Sequence, residues 1–558
     1  MTRREILKNT HSQLRSDFHK LTKTTNLVAS LPRFFRATVT LDRAKEEIRR
    51  LLDNRNETFL SLMQDRIYEN RSSPYLRLLK FVGCEFADLR DQVNRNGVER
   101  TLEQLAAEGA YLASDEFKGK KDVVRGNFSF KVSPGDFELS ASLPGFVIQS
   151  SGTTNRPVRT STSLEWIALR TLGTAVFSSA HNLSAYSHAL YDGILPASAV
   201  NHLLMNAKMG ARTDRWFARK IPVNNRVDGW YHYLVTYLIV LMGRFFGPGF
   251  PTPEFLDSEG THSIIRWILE QKRLGKDCYI ITVGSEAARI ARVAKEMGVS
   301  LKGTKFNVAG EPFTEAKEDV IKQVDAVTTS RYSYGGGTPV GDGCAKPVYR
   351  DEIHVNQHLL AVISHPKPLT TSTTSIHPLL LTTLHPAAPR LLFNVQNGDY
   401  VTLQDRDCQC DLQKVGLTRH LYDIRSFEKF TSEGMNYFYG DLFDLLEKTF
   451  PSEFGGGPGD YQLVEEEDAN GQTRLTLVVH PEVGELDEGK ILARLRVALS
   501  NGSRGNRFMT GVWENAGTFR VRRENPYASP RGKILPLHIS QAKTKLSGTE
   551  ALSARVRS

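Results

Sequence analysis

The sequence predicts an α/β protein: a large N-terminal α/β domain with a helical entry region and a β-rich part, then a small α+β C-terminal domain. Three observations predict it. Between about 146 and 330, short apolar runs alternate with amphipathic stretches, the pattern of βαβ units on a mainly parallel sheet. A β-rich stretch follows over 390–425, and the pattern changes after about 425. At 558 residues, the chain is long enough for two to four domains with sizeable cores.

The elements follow in order. Residues 1–115 read as largely helical, with helices over Arg43–Leu52, Gln64–Phe81 and Thr101–Glu108, the last stopped by Gly109. Lys118-Gly119-Lys120-Lys121 leads into alternating Phe128, Phe130 and Val132, a strand. Leu234–Met242 is the longest apolar run; it is too short to span a bilayer and predicts a buried helix, with membrane-surface contact as the alternative. Cys278–Val283 is a buried-strand pattern, Glu286–Met297 a helix stopped by Gly298, Phe306–Ala309 the next strand and Thr314–Gln323 the next helix. Beyond 425, Asp441–Lys448 is helical, Pro451–Gly459 a linker, Leu475–Val479 a strand and Lys490–Leu499 a helix. The expected domains are therefore 1–424 and 425–540, with 541–558 a basic, disordered tail.

Composition narrows the class. Forty per cent hydrophobic and 24% charged residues are those of a soluble globular protein. The net charge of +10 sits at the ends: +6 over 1–60 and +7 over 520–558, leaving about −3 between. A near-neutral body argues against nucleic-acid binding. Five sparse cysteines, Cys84, Cys278, Cys344, Cys408 and Cys410, suggest a reducing compartment and no disulfide framework. No apolar segment follows Met1-Thr2-Arg3-Arg4, so a cytoplasmic protein without a membrane span is expected.

Ser150-Ser151-Gly152-Thr153-Thr154-Asn155-Arg156-Pro157 follows the apolar Phe146-Val147-Ile148. Glycine lets a backbone approach an anion, and the hydroxyls and amides around it can donate to phosphate oxygens. No Lys-Ser/Thr follows, so this is not a Walker-type loop, and a polar surface turn is the plain alternative. Gly310-Glu311-Pro312 also comes just after a predicted strand, where open α/β sheets bind ligands. Further along stand Arg331-Tyr332-Ser333-Tyr334-Gly335-Gly336, Asn397-Gly398-Asp399, Ile424-Arg425-Ser426-Phe427-Glu428, Gly434 and Pro530-Arg531-Gly532-Lys533. Taken singly, Asp399 is turn chemistry and Lys533 a solvated lysine.

This ordered series resembles the acyl-adenylate-forming enzymes, specifically the phenylacetate–CoA ligase-like branch, over roughly residues 60–540. The resemblance implies that Ser150, Ser151, Gly152, Thr153 and Thr154 hold ATP phosphates, and that Gly310, Glu311 and Pro312 line the adenine and acyl pockets. It implies that Tyr332 lies beside adenine and that Asp399 and Arg425 contact the ribose. Lys533 is implied to swing in during adenylation on a mobile C-terminal domain, about a hinge near Ser426–Glu428. The chemistry is coherent: a carboxylate has two acceptor oxygens for a vicinal diol, and a lysine is a movable point charge for a phosphate transition state.

One position departs from the family pattern. Relatives carry a Thr or Ser and then a magnesium-binding Glu after the tyrosine; here Gly335 and Gly336 align, and glycine offers no oxygen side chain. Asp342 is the expected substitute ligand, with Thr338 and Glu311 as further candidates. Separately, Cys344, His354 and the Cys408/Cys410 pair offer three thiolates and one imidazole, the donor set of a closed structural zinc site; free cysteines and a surface histidine are the alternative. Asp351 and Glu352 orient His354 or are surface charge, and His181 is a structural histidine or lines the acyl pocket.

The resemblance implies an acid–thiol ligase using ATP and Mg2+, a small carboxylic acid and coenzyme A, with an amine or carrier protein as alternative acceptor. A homodimer is a further expectation. The alternative class is a catalytically weakened nucleotide-binding member, motivated by Gly336.

Overall fold

The computed structural model describes residues 22–139, 143–149, 159–219, 226–256, 260–335, 337–365, 367–368, 375–426, 439–467, 473–500, 519–528 and 532–539. They form two compact units. The larger holds the described residues up to Ser426 together with Gly532 and Lys533; the smaller holds those of 439–528 and 534–539.

The larger unit begins with helices. α1 (Leu41–Asp53) is capped by Thr40, whose hydroxyl accepts from Arg43 N, and buries Ala44, Ile48 and Leu51 at helical spacing. The continuous helix expected over Gln64–Phe81 is broken: a π turn at Gln64–Tyr68 ends it, and α2 restarts at Pro74–Phe81. Pro74 occupies the first helical position, where its missing N–H costs nothing. α3 (Phe86–Asn96) and α4 (Val98–Ala107) meet at Gly97, whose φ of +78° suits glycine.

The hairpin β1 (Gly145–Gln149) and β2 (Arg159–Ser163) leads into α5 (Leu164–Ala180), capped by Ser163. Then come β3 (Ser187–Tyr191), α6 (Ala199–Lys208), β4 (Arg215–Arg219), α7 (Arg226–Phe246), β5 (Pro253–Leu256) and α8 (Gly260–Arg273). The predicted βαβ run appears as β6 (Cys278–Thr282), α9 (Gly284–Glu296), β7 (Thr304–Ala309) and α10 (Glu315–Lys322). Gly298, at φ +67°, ends α9 as expected. β8 (Val327–Tyr334), β9 (Thr338–Gly343), β10 (Ile353–Val355), β11 (Leu360–Ser364), β12 (Pro378–Thr383), β13 (Val395–Asp405) and β14 (Arg419–Ser426) complete one twelve-stranded sheet.

Its order is β11-β12-β13-β14-β10-β9-β8-β7-β6-β3-β4-β5. From β8 to β5 every pairing is parallel; from β8 to β11 every pairing is antiparallel. β8 is thus the strand where the sheet changes character, and the carboxyl ends of β6, β7 and β8 lie side by side. Ala287, Ile290, Ala291 and Ala294 of α9 pack with Ile280, Phe306 and Val308. Truncating a buried phenylalanine such as Phe306 costs about 3–5 kcal/mol.

α7 corrects one expectation. Val235, Ile239 and Val240 are buried, but Leu234, Tyr237 and Leu241 are exposed, so only one face of the apolar run meets the core. No helix among the described residues is long and apolar enough to cross a membrane.

In the smaller unit, β15 (Tyr461–Glu467), β16 (Thr473–Val479), β17 (Phe519–Arg523) and β18 (Leu537–Ile539) form a sheet in the order β17-β16-β15-β18. α11 (Glu488–Ser500) contributes Ile491 and Leu495 to its core. The linker expected from Pro451 starts later: Phe450–Phe454 is helical, with Pro451 in the first turn, and Gly455 at φ +86° ends it.

Candidate functional site

Tyr332 lies near the carboxyl end of β8, at a bulge that shifts the register between Tyr332 and Ser333. Asn397–Asp399 is likewise a re-aimed piece of β13: pairing with β12 is irregular before Tyr400, and Gly398 takes φ +88°. These irregularities bring three side chains together. The Tyr332 hydroxyl donates to Asp399 Oδ2, Asn397 Nδ2 donates to the Tyr332 oxygen at 2.5 Å, and Asp399 N donates to Asn397 Oδ1 at 3.1 Å. Burial, then the Asp399 carboxylate, pushes the Tyr332 phenol well above its ordinary value, so it stays a donor.

The turn after β8 is tied to the β1–β2 hairpin. Thr160 Oγ1 donates to the Gly335 carbonyl at 2.9 Å, and Trp166 Nε1 to the Gly337 carbonyl at 3.0 Å. Gln149 and Arg159 are register partners at the end of that hairpin where its two strands are connected. Ser150, Ser151, Gly152, Thr153 and Thr154 lie outside the described residues.

Gly310, at the end of β7, has φ +88°. A Cβ there would sit 2.8 Å from Lys533 Cε and 3.1 Å from Lys533 Nζ, so glycine meets both a backbone and a space requirement. Glu311 has a fully buried side chain; it accepts from Ser285 N at the start of α9 and lies 3.8 Å from Lys317 Nζ. Pro312 offers its carbonyl to the same ammonium at 3.3 Å. Glu311 thus braces α9 and α10, a role the sequence did not reveal.

Two expected ligands go elsewhere. Asp342 is not open to magnesium: it is 5% exposed, Oδ1 accepts from Arg331 Nε at 2.6 Å and Oδ2 from Asn356 Nδ2 at 3.2 Å. Its register partner across β8–β9 is Arg331, so an internal ion pair takes the carboxylate. Arg425 is not brought to Asp399. It pairs with Tyr400, whereas Asp399 pairs with Ser426, and adjacent strand residues face opposite sides. Arg425 Nη1 instead donates to Asp351 at 3.2 Å, and Asp351 also accepts from the Asp423 and Ile424 amides. Gly336 and Glu428 lie outside the described residues, as does the Ser426 side chain.

Cys344, His354, Cys408 and Cys410 do come together: all are buried, and their ligand atoms lie within 4.8 Å of one another. His354 Nε2 is 3.5 Å from Cys408 Sγ and 3.1 Å from Cys410 Sγ. Its Nδ1 donates to the Leu417 carbonyl at 2.6 Å, which leaves Nε2 with a lone pair for a metal. That carbonyl, not Asp351 or Glu352, orients the ring. Glu352 lies 2.6 Å from His420 Nδ1 and from Arg406. Burial alone would raise the pKa of Glu352, but His420, the Val348 amide and Arg406 hold it down at about 2. His181 Nε2 contacts the Gly343 carbonyl at 3.0 Å, and burial pushes it down to about 4, a structural histidine.

No protein-family model matches the chain, and no curated protein matches it in sequence. Among solved structures, an open 2-hydroxyisobutyryl-CoA ligase with 2-HIB-AMP and CoA shares 12% identity over 92% of this chain and 91% of that one, at a TM-score of 0.42. ATP-bound MatB from Rhodopseudomonas palustris shares 12% over 70% and 66%, at 0.36. An anthranilate CoA ligase with anthranoyl-AMP shares 9% over 70% and 65%, at 0.39. Likeness of this degree carries no conclusion about this chain.

Proposed function

We propose that the chain is an ATP-dependent ligase that activates a carboxylic acid as an acyl-AMP and passes the acyl group to a thiol, coenzyme A, in the manner of the phenylacetate–CoA ligase-like branch. The observation that carries this reading is the convergence at β8. Tyr332, Asn397 and Asp399 form one hydrogen-bonded group there, and the hairpin bearing the Ser/Thr/Gly segment is bonded to the next turn. Lys533 lies against Gly310 at the end of the neighbouring strand.

In this reading the Tyr332 ring flanks adenine and Asp399 accepts from the ribose hydroxyls, a role for which its two oxygens suit it. The segment over 150–154 donates to the β- and γ-phosphates. A carboxylate oxygen of the acid attacks the α-phosphorus in line, and the bond to the bridging oxygen breaks as pyrophosphate leaves. The Lys533 ammonium stabilises the charge that builds on phosphorus oxygens. The acceptor thiolate then attacks the acyl carbon, and AMP departs with the oxygen it gained.

Magnesium would assist pyrophosphate departure; of the expected stand-ins for the missing family glutamate, Asp342 is taken by Arg331 and Asn356, and Glu311 by the Ser285 amide and Lys317. For zinc the residues fit: three thiolates and an imidazole close a tetrahedral site, which would be structural and would tie the β9–β10 region to the β13–β14 connection. The experiment is an acid-dependent ATP–pyrophosphate exchange screen over aryl, aliphatic and amino acids. Exchange with at least one acid is the expected result. Tight ATP binding without exchange for any acid would instead favour the weakened nucleotide-binding member that Gly335 and Gly336 motivate.

A further inference from the structure

α7 leaves an apolar face uncovered. Trp230, Leu234, Tyr237, Leu241 and Phe245 recur at helical spacing and are all exposed, Trp230 at 59% and Phe245 at 73%. Phe246 beside them is exposed as well. Every exposed position from Trp230 to Phe246 is apolar or aromatic except Arg244. At 1.5 Å per residue, the row from Trp230 to Phe245 is about 22 Å long. Contiguous apolar surface of this kind marks an interaction site.

The helix over 22–36 runs beside α7 in the same direction. Thr24 Oγ1 meets the Tyr231 hydroxyl at 2.9 Å, and the Phe35 and Phe250 rings lie 5.6 Å apart just past the end of α7. Leu27, Leu31, Phe34 and Phe35 share one core cluster with Val235, Ile239 and Val240, so both helices turn their outer faces away from the same core. Arg33 and Arg36 are exposed on the first helix. Arg244 ends the row on α7, where its Nε donates to the Phe250 carbonyl at 3.0 Å. Neither stretch offers a carboxylate: none occurs from Thr22 to Leu41 or from Gly229 to Pro253. Arg226 and Asp228, in the first turn of α7, cancel in charge. Glu254, which follows, pairs with Arg215 at 3.5 Å.

We propose that this face docks on an anionic lipid surface, with α7 lying in the plane of the interface and its aromatic row entering the boundary between headgroups and acyl chains. The proposal does not rest on the ligase reading. Trp, Tyr, Phe and Leu along one side of a helix, with cations at the margin, suit that boundary. The rings sit at headgroup level, the apolar groups leave water, and the arginines meet lipid phosphates. A second copy of the chain is the competing occupant. Two-fold pairing sets one patch against itself. It would gather Arg33, Arg36 and Arg244 of both copies with no carboxylate on either stretch to receive them, whereas an anionic surface attracts all three.

The test floats the full chain with vesicles of phosphatidylcholine alone and of phosphatidylcholine with phosphatidylserine, at low and high salt. The expected result is binding to the anionic vesicles, several-fold above the neutral ones and weakened by salt. Leu234→Gln with Leu241→Gln should reduce it roughly tenfold or more, since apolar contact is lost. Arg33→Gln with Arg36→Gln should reduce it by about fivefold per arginine. Lipids brominated in the acyl chain should quench wild-type tryptophan fluorescence, and Trp230→Phe should remove most of that quenching. Absence of binding to anionic vesicles overturns the proposal, and so does binding that the leucine changes leave intact. A dimer in sedimentation velocity that the leucine changes split, with no vesicle binding, would give the face to a second copy instead. If the leucine variant does not fold, the wild-type vesicle series and the quenching decide: quenching unchanged in Trp230→Phe overturns the proposal.

Discussion

Replacing Gly310 with alanine separates a structural glycine from a catalytic neighbourhood. At φ +88° the new residue enters a left-handed backbone region, at a cost of roughly 1–2 kcal/mol. Its Cβ would stand 2.8 Å from Lys533 Cε, 3.1 Å from Nζ and 4.0 Å from Val283 Cγ1. The lysine is the flexible partner, so it yields cheaply, but its ammonium is displaced by about an ångström. Misplacement of that size can cost on the order of 100-fold in rate. Gly310→Ala should therefore lower the melting temperature by only a few degrees, while exchange falls about 10- to 100-fold. Lys533→Ala should lose roughly 100- to 1000-fold, as for loss of a transition-state charge donor. The double variant should exchange no more slowly than Lys533→Ala, because both changes act through one ammonium. Full exchange in Gly310→Ala, or losses that multiply in the double variant, would refute the reasoning.

Asp399→Ala should weaken nucleotide binding by about 1–3 kcal/mol in titration calorimetry, since a charge-assisted acceptor is removed. Elemental analysis of metal-replete protein should give close to one zinc per chain, and Cys410→Ser should lower both that ratio and the melting temperature; a ratio below about one tenth would reject the metal. His181 titrates near 4 when folded and near 6.5 when unfolded, so the unfolded chain binds more protons between those values. Stability should thus be full above about pH 6.5 and fall by up to roughly 3 kcal/mol towards pH 4, and His181→Gln should flatten that slope in pH-dependent melting.

The parallel half of the sheet was legible because its signals are local. Cys278–Thr282 is a short apolar run, α9 has helical spacing, and Gly298 stops it. The antiparallel half was legible in composition but not in order: β14 slots between β13 and β10 through contacts far apart in sequence. The helix over 64–81 failed at Pro74, and the apolar run in α7 hid a face that stays exposed. The cysteine–histidine set could be read from donor chemistry alone. Asp342 could not, because its partner Arg331 is set by hairpin register, and Arg425 turned on strand alternation next to a bulge.

The most direct test follows one oxygen atom. An acid that supports exchange is labelled with 18O in its carboxylate and turned over with ATP and coenzyme A. Attack of that carboxylate on the α-phosphorus predicts AMP carrying one 18O, with unlabelled pyrophosphate. Unlabelled AMP, or ADP as the nucleotide product, would contradict the account.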